Sequence, residues 1–113
     1  FLAADAGRHP LARVEPVTMR TLLLLLYGTG LRVQEALDLN RADVDLGSAL
    51  LTIRRTKFGK TRLVPFGPRL GDALARYAAR LRAAGPGAPF FTTRTGTRVN
   101  ADTLRQKYRA LCE

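Results

Sequence analysis

LLLLLYGTGLRVQEAL, residues 22–37, is the stretch on which the reading of this chain turns. Five leucines run into a tyrosine, Gly28 and Gly30 flank a threonine, and Arg32 follows almost at once. Leu and Met are good helix formers and Pro16 suits a first helical position, so a helix is expected over Val17 to Tyr27. Five successive leucines imply burial on most of its sides, Leu24 included. Gly28 and Gly30 are expected to end it, because glycine lets the backbone turn without a Cβ clash. A second helix is expected from Arg32 to Leu39, with Val33, Ala36, Leu37 and Leu39 as its apolar side. That makes a tight corner with Arg32 in the first turn after it. Amides at a helix start, together with a guanidinium, make a seat for an anion, phosphate above all. Glu35 lies three residues on, on the same helical face, and is placed to hold the arginine side chain. The same residues also read as a glycine-rich helix end followed by an ordinary surface Arg–Glu pair.

Beyond the corner, Asn40 is expected to cap a short turn over Arg41 to Val44. Leu50 to Arg54 and Arg62 to Phe66 are β-like runs flanking RTKFGKT, residues 55–61, in which Gly59 permits a turn. They predict a hairpin with a loop longer than two residues. Pro65 lacks an N–H, so the second strand is short or at an edge. Arg54, Arg55, Lys57, Lys60 and Arg62 fall in this ribbon without an acid among them. Such a ribbon can lie along a nucleic-acid groove and touch phosphates. A lysine beside a phosphate can also protonate a leaving oxygen if its pKa is lowered. Charges on a hairpin tip equally serve to discourage edge pairing. Pro68 to Ala84 is an amphipathic helix, with Leu70, Ala73, Leu74, Tyr77, Ala78 and Leu81 at steps of three and four. Residues 85–89 read as a loop, Phe90 to Thr92 as a short strand and residues 94–98 as a turn. Asn100 is expected to cap a last helix reaching about Cys112, with Leu104, Tyr108 and Leu111 on its apolar side. The fold class is α+β, mostly helical, with a small antiparallel hairpin or three-stranded sheet beside the helices.

Composition narrows the function. The chain has 113 residues, which suits one domain, and its 46% hydrophobic content supports a modest core. Nineteen Lys and Arg against nine Asp and Glu give a formal charge of +10. A small domain this basic usually meets a polyanion, nucleic acid first, although a general arginine-rich bias would produce the same number. The leucine run is far shorter than the ~20 residues that span a bilayer, and no signal peptide is visible, so no membrane partner is expected. A single Cys cannot form an intramolecular disulfide, which fits a reducing, cytoplasmic setting. One Cys and one His argue against a Cys/His metal site, so no metal or other cofactor is expected. A chain that begins on Phe and ends on Cys112-Glu113 is expected to be a piece of something longer.

Taken in order, LLLLLYGTGLRVQEALDLNRADVDL (residues 22–46) and LLTIRRTKFGKTRLVPFGP (residues 50–68) resemble the catalytic domain of the tyrosine recombinases, the phage-integrase family. The likeness is specific from about Arg20 to Pro68 and looser through FFTTRTGTRVNADTLRQKYRALCE (residues 90–113). The resemblance implies cleavage of one DNA strand by a tyrosine hydroxyl, a 3′-phosphotyrosine intermediate, and strand exchange without metal or ATP. It implies double-stranded DNA and other recombinase protomers as partners. Arg32 matches the first catalytic arginine, which stabilises charge on the non-bridging phosphate oxygens. Lys57 matches the hairpin lysine that protonates the departing 5′-oxygen, and Glu35 the acid that supports the arginine. Arg54, Arg55, Lys60 and Arg62 stand where DNA-backbone contacts are expected. The family's later segment, His-x-x-Arg, a further His or Trp, and the tyrosine, has no match. His9 lies upstream of everything, and Tyr108 precedes the point where His-x-x-Arg would begin and reads as packing. Residues 1–113 are therefore expected to form a partial catalytic domain, inactive alone. The alternative is a non-catalytic DNA- or protein-binding remnant of a truncated integrase. The reading frame after Glu113 would separate the two.

Overall fold

The computed structural model describes residues 14–55 and 60–102, without the side chain of Arg55. Helix α1, Pro16–Thr29, starts where proline's fixed φ suits a helix and its missing N–H would have had no partner. It runs through Gly28 rather than ending there. Of the two glycines it is Gly30 that takes left-handed backbone, with φ 72°, and its N–H donates to Leu26 O at 2.9 Å. Thr29 seals the same end: its hydroxyl donates to Leu25 O at 2.7 Å and accepts from Leu31 N at 3.3 Å.

The leucine run is not buried all round. Leu22 and Leu25 are fully buried, whereas Leu23 is 37%, Leu24 47% and Tyr27 93% exposed. Steps of three and four place Leu23, Leu24 and Tyr27 on one face of α1, opposite the face the core covers. Helix α2, Val33–Leu37, is shorter than expected, and Arg32 is its cap rather than a member of its first turn. A single helical turn of this length carries little macrodipole, so the anion seat expected there rests on side chains rather than on the helix end.

Arg41–Asp43 form a 3₁₀ turn with Asn40 at its N-cap, as expected. Asp43 Oδ2 accepts from Asn40 N at 2.9 Å, while the Asn40 side chain turns to Arg98. Strands β1 (Val44–Asp45), β2 (Leu50–Arg55) and β3 (Lys60–Pro65) form an antiparallel sheet in the order β1-β2-β3. In the β2–β3 ladder Leu50 faces Pro65, Ile53 faces Arg62 and Arg55 faces Lys60. β3 is an edge strand, where the missing N–H of Pro65 removes no ladder bond. The turn expected between the strands, with Lys57 and Gly59, falls outside the described residues.

Helix α3, Pro68–Arg80, packs along α1 with Leu74 and Tyr77 buried. A Cβ on Gly28 would lie 3.4 Å from Leu70 Cδ2, an ordinary contact distance, so the two helices are close neighbours there. The expected strand at Phe90–Thr92 is reduced to isolated bridges, Asn40 with Pro89 and Thr92 with Arg98, around a turn whose Gly96 has φ 90°. Ala101 and Asp102 are helical; the rest of the last helix expected, with Leu104, Tyr108 and Leu111, falls outside the described residues. Phe91, Leu37, Leu51 and Val99 join Leu22, Leu25 and Leu74 in one core. Among the described residues no helix is long and apolar enough to cross a membrane.

Candidate functional site

The corner after α1 and the hairpin meet at Glu35. Its Oε1 accepts the backbone N–H of Arg32 at 3.0 Å, closing the first turn of α2. The same carboxylate takes the Arg62 guanidinium through two bonds, Nη1 to Oε2 at 3.1 Å and Nη2 to Oε1 at 3.3 Å. Glu35 therefore holds Arg32 by its main chain and not, as expected, by its side chain. The charged partner is Arg62, 27 residues away on β3. This frees the exposed Arg32 guanidinium from an ion pair with Glu35. A paired two-bond fork is the strongest common geometry between these groups, and here it joins α2 to the edge strand.

The Arg62 fork, followed by the Arg32 amide, holds the Glu35 carboxyl below the usual carboxylate range. A depressed folded-state pKa contributes stability above the ordinary carboxylate pKa and loses it as pH falls through the folded value. The Arg62 side chain is 44% exposed, so solvent screens the pair and its worth is about 1 kcal/mol. Glu35→Gln is thus expected to lower the urea midpoint at pH 7, and the gap from the parent chain should close as the pH falls below the carboxylate range. Parallel midpoint–pH curves for the two chains would show that the pair contributes nothing.

The other cations of the ribbon are not equivalent. Arg54 grips the buried Asp43 carboxylate, Nη2 to Oδ1 at 2.6 Å and Nε to the same oxygen at 3.2 Å. This ties the 3₁₀ turn to β2, so Arg54 is largely committed to the fold. Lys60 is exposed and pairs with Arg55 at the far end of the ladder. Lys57, His9 and Tyr108 lie outside the described residues.

Two residues that sequence reasoning passed over hold this region together. Arg98 Nη1 donates to Leu37 O at 2.8 Å and Leu39 O at 3.2 Å, and its Nη2 donates to Asn40 Oδ1. It satisfies the Leu37 carbonyl that the short α2 leaves open at its C-terminal end, and shares the Leu39 carbonyl with the Phe90 N–H. A separation of about 60 residues hides that contact from any local pattern. Asp43 was legible, because an Asn followed three residues later by an acid is a capping signature. Among the described residues no group of His, Cys, Asp and Glu is placed to hold a metal ion. What the site offers is an exposed guanidinium at a rigid corner, an anchored basic ribbon beside it, and a carboxylate joining the two.

Comparison with known proteins agrees with this architecture. Residues 7–113 match the model of the phage integrase family. The chain is 41% identical over 112 residues to the tyrosine recombinase XerC of Rhodospirillum centenum, covering 98% of this chain and 33% of that protein. Its fold superposes on the crystal structure of XerA recombinase with a TM-score of 0.71 at 23% identity, covering 98% of this chain and 41% of that one. The Tn1549 transposon integrase, solved in complex with transposon right end DNA, gives 0.63 at 19% identity over 98% of this chain and 45% of that one. The chain spans about a third of the length of the curated relatives that it matches over most of its own length. Mixed helices around a three-stranded antiparallel sheet reproduce part of the tyrosine recombinase catalytic-domain fold, and the chain belongs to the phage integrase family.

Proposed function

We propose that this chain is the phosphate-gripping part of a site-specific tyrosine recombinase catalytic domain, that its ligand is double-stranded DNA, and that it is inactive alone. The observation that carries the reading is the Glu35 junction, which anchors the Arg32 corner and the basic ribbon to one another. Lys60 is two residues from Arg62 along β3, about 7 Å, and Lys57 belongs to the segment between β2 and β3. In this reading Arg32 donates to the non-bridging oxygens as charge builds on them. Lys57 gives a proton to the departing 5′-oxygen. Glu35 positions both elements. Arg55 and Lys60 contact the DNA backbone, while Arg54 and Arg62 add positive potential from their ion-paired positions. In this reading the His-x-x-Arg segment and the nucleophilic tyrosine come from outside these 113 residues, and Tyr108 does not act as the nucleophile. The DNA seen in the Tn1549 integrase complexes supports the choice of ligand.

Fluorescence anisotropy with a labelled duplex tests this. Affinity should fall steeply with salt, with a log–log slope of about −0.9 for each phosphate neutralised. Arg32→Ala and Lys57→Ala should each weaken binding and flatten that slope by about one. A nicked suicide substrate should give no covalent adduct. Salt-insensitive binding, or binding untouched by both substitutions, would refute the phosphate grip. A trapped adduct would give the chemistry to Tyr108.

A further inference from the structure

At the end of α1 opposite the Arg32 corner lies a cleft of about 530 Å³. Four arginines line it from three separate parts of the chain: Arg41 on the 3₁₀ turn, Arg80 and Arg82 at and just beyond the end of α3, and Arg94 on the 94–98 turn. Among the described residues that line it, Glu15 is the single carboxylate. Like charges converge in a concave space only against their mutual repulsion, and nothing in the core requires it: Arg80, Arg82 and Arg94 are exposed, not packing residues. Arg41 Nη1 donates to the Arg82 carbonyl, yet its buried Nε has no hydrogen-bond partner. An unpaired buried guanidinium nitrogen is costly, and such groups in native structures call for an explanation. The Tyr77 hydroxyl also lines the cleft. It accepts from Thr18 Oγ1 at 3.3 Å and from Thr92 N at 3.1 Å, which leaves its proton to donate.

We propose that this cleft is a second anion site, for a ligand presenting two or more phosphate groups. Guanidinium forks match phosphate oxygens in pairs, and a lining whose described residues carry four cations and one anion suits a multiply charged ligand better than a single carboxylate. The volume is in the range of small-molecule sites. Glu15 and Thr18 mark the start of α1, while Arg32 lies past its other end, and a helix of 14 residues is about 21 Å long. One phosphate cannot touch both places, so the proposal stands apart from the function assigned to the corner. The phosphates could come from a free polyphosphate or from a nucleic-acid backbone.

Titration calorimetry of the 113-residue chain with inorganic pyrophosphate provides the test. Saturable binding is expected, weakened at least tenfold in the Arg80→Ala/Arg94→Ala double variant and changed less than twofold in Arg32→Ala. Glu15→Gln, which removes the opposing charge, should tighten binding severalfold and gives a reading that does not depend on the double variant folding. A duplex that displaces pyrophosphate from the Arg32→Ala chain would identify the source as a nucleic-acid backbone; simultaneous binding would identify a free polyphosphate. No saturable binding would overturn the proposal. So would binding lost in Arg32→Ala and kept in the double variant, which would put the anion at the corner.

Discussion

Replacing Phe91 with alanine is expected to cost the fold about 3–5 kcal/mol, the range for deleting a fully buried aromatic ring. Phe91 is completely buried. Its ring lies 5.5 Å from that of Tyr77 at 30° and 5.1 Å from that of Phe90 at 89°. These three aromatics join α3 to the returning segment at 90–99. A domain of this size has about 5–15 kcal/mol in total, so the variant would lose a large share of it. At about 4–8 °C per kcal/mol the melting temperature should drop by more than 10 °C. Phe91→Leu keeps most of the volume and should cost about 1–2 kcal/mol. The effect should reach the candidate site. Val99 N donates to Phe91 O at 3.3 Å, one residue from the Arg98 that holds the end of α2. A Phe91→Ala chain that melts with the parent would mean that the aromatic cluster does not organise this half of the domain.

The second large effect separates neighbours in the leucine run. Leu22→Ala is expected to cost about 2–5 kcal/mol, because a fully buried side chain leaves a cavity as well as lost transfer energy. Leu24→Ala should cost less than about 1 kcal/mol, because Leu24 is already 47% exposed and leaves no enclosed void. Urea unfolding of both variants measures the difference directly. Equal losses at the two positions would show that the Leu23, Leu24 and Tyr27 face of α1 is covered in solution.

Much of the domain could be read from local chemistry. Pro16 and Pro68 begin the helices they were expected to begin, and the left-handed turn falls at Gly30. The strands flanking residues 56–59 pair as a hairpin with Pro65 on the edge. Such features depend on a few consecutive residues: a fixed φ, a missing Cβ, an alternation of two. The corner and the basic ribbon were legible as separate candidate elements for the same reason. α2 and α3 ended earlier than their apolar periodicity suggested, because periodicity marks which residues share a face and not where tertiary contacts stop rewarding the helix.

What tertiary structure alone decided is which face is covered and which charge finds which partner. Helical spacing put Leu22 and Leu25 on one side of α1 and Leu24 and Tyr27 on another, but only the placement of α2 and α3 against α1 selected the buried side. Glu35 was three residues from one arginine and 27 from another, and it bonds the guanidinium of the distant one. Arg98 reaches the carbonyl of Leu37 across 61 residues, and four arginines from three segments converge on one cleft. Backbone preferences act over a few bonds and so are written in order along the chain. Burial and ion pairing act through space, so their outcome is set only once the chain has brought its distant parts together.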